Sequence, residues 1–346
     1  MPEGPGPESD TTQGGPDANG EASRELLSTA GECVSLRVPR GRLSRLIHEC
    51  AEGGFTQGET RSGTVQVLVE DDHRPFDTPG WTLLCRGAWH QEGMVVVEDV
   101  CGSGFDMHVR CDAGVANFTF RSRPSPRTRA AAALLPARSR LLTRSVLVHY
   151  PAMWWAGARG RTPLHAPAVT SGDATLLLAG PSGVGKSTLI GRETGEGGLA
   201  ASDNVSVGDG TSVWGVVEPM RSERRSGRRM PHCRRESSLQ NRVASLRPDR
   251  VVVLRRGARE RVQACDPEVA ARALVTSTYM AGELRRYWTF AALLALGTGA
   301  GPPHPQVAEV AAAFTQALPC FEIELPTVEG VRISALLARS EAGTWT

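Results

Sequence analysis

Lysine is almost missing from this chain. Of its 346 residues 39 are Lys or Arg, and only Lys186 is lysine. Elsewhere the sequence uses arginine for positive charge, so the lone ammonium marks a position where a wide planar guanidinium will not serve. Charge imbalance is missing too. The formal net charge is +2, which excludes a global electrostatic bias toward nucleic acid or a membrane surface. Long apolar runs are absent: stretches such as 291–296 fall far short of the roughly 20 residues a bilayer span needs. Eight cysteines (Cys33, Cys50, Cys85, Cys101, Cys111, Cys233, Cys265, Cys320) contain no C-x-x-C pair, which excludes a zinc ribbon and reads as reduced thiols. The first residues lack both a basic segment and an apolar one, so no secretory signal is expected. These absences predict a soluble, cytoplasmic protein.

What is present begins with 40% apolar residues, enough for a substantial core, over a length that suggests two domains. Residues 1–31 are rich in Gly, Pro, Ser and acid and predict a disordered tail, since they bury too little to offset ordering entropy. Residues 32–149 read as a small strand-rich α+β domain. Its short runs are Cys33–Val38, Val65–Val69, Trp81–Arg86, Met94–Asp99, Met107–Cys111 and Asn117–Arg121, separated by Gly, Asp and Pro. Arg42–Glu52 is its helix, and 126–149 is helical with a break at Pro136. Residues 150–346 alternate strands (Leu164–Val169, Thr175–Ala179, Val251–Leu254, Cys320–Leu325) with helices (Pro267–Leu274, Gln306–Leu318), an α/β layer pattern.

The strongest motif is Gly180-Pro181-Ser182-Gly183-Val184-Gly185-Lys186-Ser187-Thr188, a G-x-x-x-x-G-K-S match between a buried-strand pattern and a helix start. Backbone N–H groups must turn inward around an oligophosphate, and glycines permit those dihedrals. The helix from Lys186 aims its positive end at the anion. Lys186 then reaches the β/γ-phosphates and Ser187 is the expected Mg²⁺ ligand. There is no N-K-x-D for reading guanine and no L-S-G-G-Q.

Three segments in order, 163–169 with His165, the loop 180–190, and Ala201-Ser202-Asp203-Asn204-Val205, resemble HPr kinase/phosphorylase and its kinase relatives. The resemblance covers about residues 160–260. It implies a P-loop kinase domain of phosphoenolpyruvate-carboxykinase-like type, with ATP and Mg²⁺ as cofactors. It places His165 near the phosphates, as a charged ring that stabilises negative charge or a neutral one that donates a single hydrogen bond. It makes Asp203, seventeen residues after Lys186 and so at the end of a strand returning from a short helix and turn, the first acidic position and general base. The second acidic position is Asn204 here, whose amide oxygen can still reach a metal but carries no charge. Glu218 and Arg221 follow, on Trp214–Arg221 read as a strand leaving the site, as candidates for metal support and phosphate contact. Outside the resemblance, Asp203 reads as an Asx-turn residue and His165 as a half-buried strand residue.

Residues 221–235 hold seven arginines and one acid. They fit a loop gripping an anionic acceptor or closing on ATP, or equally a solvated loop in an Arg-biased chain. No aromatic interleaves them for base stacking, which argues against nucleic acid. Trp154-Trp155 could line an acceptor pocket, but core packing is the simpler reading. The reading that results is catalysis by Lys186, Asp203 and His165, with ATP held by 180–188 and Arg221 and metal by Ser187, Asn204 and Glu218. The γ-phosphoryl group would pass to a hydroxyl, either a serine of a protein or peptide or a small-molecule alcohol, with homo-oligomer formation open. The alternative is a nucleotide-binding regulatory module without phosphoryl transfer.

Overall fold

The computed structural model of the chain describes residues 24–51, 54–57, 64–112, 114–222, 228–229, 235–328 and 330–341. The protein is mixed α/β and is built on several sheets. In the N-terminal half the short alternating runs assemble into one nine-stranded sheet. Its spatial order is Thr56–Gln57, Arg24–Thr29, Glu32–Arg37, Val65–Glu70, Val115–Ser122, Phe105–Asp112, Met94–Val97, Ala88–Gln91, Thr82–Cys85. Val65–Glu70 runs parallel to both its neighbours, and the other pairs are antiparallel.

The expected tail gives way eight residues early. Arg24–Thr29 is a strand paired with Glu32–Arg37 through a tight turn. Leu26 and Leu27 supply the burial that composition averaged over 1–31 conceals. Residues 1–23 lie outside the described residues. The hairpin turn docks on the C-terminal half: Ala30 N–H donates to Gly215 O at 2.8 Å, and Val217 N–H to Thr29 Oγ1 at 2.9 Å. Beside it the fully buried Glu32 carboxylate accepts from Thr64 Oγ1 at 2.6 Å and Arg161 Nη1 at 2.8 Å.

Helices Pro126–Leu134 and Pro136–Arg144 meet at the predicted break. From 136 the helical path then runs on to 158, widening over Ser145–His149 before Tyr150–Ala158. Pro151 cannot donate to the carbonyl four residues back, and a one-turn widening ahead of such a residue relieves the clash. The domain boundary expected at 149/150 therefore falls inside a continuous helical path. Trp154 and Trp155 are buried; Trp154 meets Phe118 edge-on at 5.8 Å. With Arg285–Thr298 they cover the nine-stranded sheet, so the packing reading of this pair holds.

The C-terminal half centres on a five-stranded sheet ordered Ala168–Ser171, Ala174–Ala179, Arg250–Arg256, Cys320–Leu325, Arg261–Ala264, with the three central strands parallel. Strand side chains alternate between faces. Leu176, Leu178, Val252 and Leu254 pack toward Lys186–Gly195 and Ile333–Glu341. Leu177, Ala179, Val251 and Val253 pack toward Pro267–Tyr279 and Val307–Ala317. A four-stranded antiparallel sheet (Thr162–Leu164, Ser206–Gly208, Val213–Gly215, Ser245–Leu246) lies alongside. The single strand expected over Leu164–Val169 is thus two strands in two different sheets. His165 sits in the three-residue crossover that ends at Pro167.

Candidate functional site

The loop from Gly180 to Gly185 joins the central strand Ala174–Ala179 to the helix Lys186–Gly195. Its geometry explains its glycines. Gly180 has φ 144° and Gly185 φ 113°, where L side chains are strained. A Cβ on Gly180 would also stand 2.8 Å from Leu254 O, and one on Gly185 2.5 Å from Val328 Cγ1. Val184 turns its side chain into the core with Leu189, Ile190 and Leu254, leaving only its backbone to the loop. Pro181, Ser182, Gly183 and Thr188 are exposed. Lys186 is buried, with Nζ donating to Gly180 O at 2.6 Å and Pro181 O at 3.3 Å. The chain's one ammonium is therefore wrapped by the loop itself.

After the helix the chain makes one bridge at Ala200, to Val169 and Arg242, and then bends through 201–205. The returning strand expected before Asp203 is only that bridge, so Asp203 lies in a bend. It still faces the loop: Ser187 Oγ donates to Asp203 O at 3.3 Å. The Asp203 carboxyl is buried, and its pKa is pushed up to about 6 by burial first and by the Glu218 carboxylate second. Arg221, the Ser187 hydroxyl and the Arg221 backbone N–H oppose that rise. A carboxyl so placed can exchange a proton near neutral pH.

Around it the structure gathers the other sequence-predicted residues. Asn204 Nδ2 donates to Glu218 Oε1 at 3.1 Å, and Arg221 Nη2 bonds Glu218 Oε2 at 2.8 Å. Burial alone would raise Glu218, but Arg221, His149 and the Asn204 amide bring it below its ordinary value. The reverse balance holds at Arg221, where burial is outweighed by Glu218 and Glu283 and the guanidinium stays charged. Trp214–Arg221, expected as one strand, is regular only over Val213–Gly215 and again from Met220. The irregular stretch between them lets Glu218 turn inward.

His165 is buried. Its Nδ1 lies 3.1 Å from Ser277 O. Burial and the nearby Lys186 charge lower its pKa to about 4. The ring is accordingly neutral at physiological pH, which selects the neutral of the two states set out above.

Among the described residues no group of three His, Cys, Asp or Glu side chains is arranged to hold a metal ion. Of the expected set Ser187, Asn204 and Glu218, the one carboxylate has both oxygens engaged, by Asn204 and by Arg221. Ser187 and Asp203 are the hydroxyl and carboxylate that stand together at the helix start, and a magnesium ion that keeps several waters needs only one or two carboxylates beside a phosphate.

Sequence reasoning missed His149, Arg242 and Glu283. His149 Nε2 lies 3.1 Å from Val217 O, and burial lowers its pKa to about 4. Glu283 Oε1 pairs with Arg221 Nη1 at 3.1 Å, and Arg242 Nη2 donates to Glu218 O. None of the three carries a local pattern, because each reaches the site from a separate element. Of the arginine-rich segment, Met220–Ser222, Arg228–Arg229 and Arg235–Ser237 form a small antiparallel sheet; residues 223–227 and 230–234 lie outside the described residues. No helix among the described residues is long and apolar enough to cross a membrane. The chain matches no family model and no curated protein.

Proposed function

We propose that this chain is an ATP-dependent kinase of the HPr kinase-like type, moving the γ-phosphoryl group of ATP to a hydroxyl. One observation carries the reading: the buried, pKa-raised Asp203 stands against Ser187 at the first turn of the glycine-loop helix. A triphosphate fits the loop on three grounds. Its glycines adopt dihedrals that turn N–H groups inward, a helix N-terminus faces the same way, and the only lysine sits at its end.

Asp203 is the general base. It accepts the acceptor's hydroxyl proton as that oxygen bonds to the γ-phosphorus, while the bond from γ-phosphorus to the bridging oxygen breaks and ADP departs. Lys186, on giving up the Gly180 and Pro181 carbonyls, neutralises charge on the phosphates. Mg²⁺, held by Ser187 and Asp203, would supply further charge neutralisation. Glu218 and Arg221 hold the geometry: Arg221 fixes Glu218, and Glu218 fixes Asn204 next to Asp203.

A second reading, a nucleotide-responsive module without chemistry, draws on the uncharged amide at 204 and on the full engagement of Glu218 by Asn204 and Arg221. The test is incubation of the purified chain with γ-labelled ATP, Mg²⁺ and pooled peptide and metabolite acceptors. Label transfer that disappears in Asp203→Asn supports the kinase. Normal ATP binding with no transfer to any acceptor leaves the module.

A further inference from the structure

Two cavities flank the start of the helix Arg285–Thr298, and Arg285 and Arg286 line both. The larger, about 660 Å³, has Glu218, Arg221 and Glu283 in its wall, three groups already paired with one another. The smaller, about 330 Å³, lies between that helix and the nine-stranded sheet, and none of its lining residues belongs to the glycine loop or the carboxylate cluster. Its volume is within the range of small-ligand sites, about 300–1,000 Å³. Val97, Val100 and Met107 on the sheet side face Phe290 and Leu293 on the helix. A cavity with such walls holds water poorly and favours an apolar occupant.

The charge in the smaller cavity's wall is of one sign. Its lining includes no Asp or Glu, yet it includes the exposed Arg285 and the half-buried Arg286. No ion pair engages either guanidinium among the described residues. Cys101, also in the wall, adds no negative charge, because burial pushes its thiol up to about 11 and keeps it protonated. Its Sγ instead donates to Arg286 O at 3.7 Å, which ties the sheet side of the cavity to the helix start. The turn that carries it is held open under strain: Asp99 stands at φ 42° and Cys101 at φ 57°. Asp99 is fixed there from two sides, its N–H donating to Asp106 Oδ1 at 2.9 Å and its own Oδ1 accepting from Gly104 N–H at 2.7 Å. The space is therefore preformed, apolar within and cationic at one side.

We propose that the smaller cavity is a binding site for a small amphipathic anion. The apolar body fills the space between Val97, Val100, Met107, Phe290 and Leu293, and the anionic head lies against Arg285 and Arg286. A cation is repelled by the two arginines, and a neutral apolar molecule leaves both without a counter-charge. The larger cavity suits an anion less, because Glu218 and Glu283 share its wall. The inference does not rest on the kinase reading, since the site shares no residue with the phosphate loop.

Octanoate, hexanoate, acetate, octan-1-ol and octylammonium are titrated into the full chain by calorimetry, with ATP binding followed on the same samples. The expected result is an octanoate Kd below about 1 mM, with the alcohol and the ammonium at least about tenfold weaker. Hexanoate, shorter by two methylenes, should bind roughly tenfold more weakly, and acetate should show no saturable binding. Arg285→Gln/Arg286→Gln should erase the preference for acid over alcohol. Leu293→Trp fills the cavity and should abolish octanoate binding. Should that variant fail to fold, Thr289→Trp places the same bulk at an exposed position of the wall and should weaken octanoate at least about tenfold. Absence of octanoate binding, equal binding of octanoate and octan-1-ol, or acetate bound as tightly as octanoate overturns the proposal. So does octanoate affinity unchanged in a folded tryptophan variant, which would put the anion in the larger cavity. ATP affinity should be the same in all these variants, and a chain that binds octanoate but no ATP counts against the kinase reading alone.

Discussion

The glycine loop and the carboxylate cluster facing it are built in opposite ways. The loop is nine consecutive residues, 180–188, whose shape follows from the dihedrals its own glycines allow and from the strand and helix at its ends. The cluster draws His149, His165, Asp203, Glu218, Arg221, Arg242 and Glu283 from elements separated by up to 134 residues, and each is held by a partner from another element. A local site tolerates change elsewhere in the chain. An assembled one depends on every element that brings a side chain to it.

Substitutions can sharpen that contrast. Asp203→Asn should carry the largest effect, lowering turnover by about 10²–10⁴-fold with ATP affinity retained. In the unaltered protein the rate should rise with pH as Asp203 ionises, at a pH below the value of about 6 that burial gives the metal-free carboxyl, because Mg²⁺ beside it favours the ionised form. A pH–rate profile with no such rise removes Asp203 from that role. Lys186→Arg keeps the charge but not the compact ammonium, and should cost about 10²–10³-fold in turnover. Activity close to that of the unaltered chain would mean that the lone lysine reflects arginine bias alone.

The assembled cluster should announce itself in acid. His149 and His165 are neutral when folded, with pKa values lowered to about 4 from 6.5. Their contribution to stability is complete above pH 6.5 and is lost as pH falls toward 4, since the unfolded chain binds those protons first. Asp203, raised to about 6, works in the other direction and gains as pH falls. Two histidines, with Glu218 held below its ordinary value beside them, outweigh one aspartate and leave a net loss of stability toward pH 4. Denaturant titrations at pH 7 and pH 4 check it, and unchanged stability contradicts the burial of the histidines. The smallest effect is expected at the hairpin that docks the two halves. Glu32→Leu removes the carboxylate that Arg161 and Thr64 bond, leaving them the longer contacts to the Ala30, Gly31 and Cys33 carbonyls, and should cost about 1–3 kcal/mol. ATP binding should be unchanged by it, because the loop is local.

The same division governs what could be read ahead of the structure. The loop and its flanking strand and helix were legible because their signals are contiguous. Asp203 and Arg221 were reached through a resemblance, and each joins the cluster in the fold. The strand expected before Asp203 is a single bridge residue, Ala200, and the strand expected over Leu164–Val169 is two, because the chain crosses between two sheets at His165. The hairpin at 24–29 was hidden because two buried leucines count for little in a segment whose remainder is polar.

The sequence by itself determined the phosphate loop, the lone lysine, the alternation of strands and helices, and the polar N-terminal segment, because backbone dihedral limits and side-chain periodicity act over a few neighbouring residues. Only the tertiary structure decided that His165 is buried and neutral, that Asn204 and Arg221 hold Glu218, and that Asp203 is buried beside that carboxylate. Those properties are set by burial and by charges brought together across the chain, and neither exists until distant elements pack.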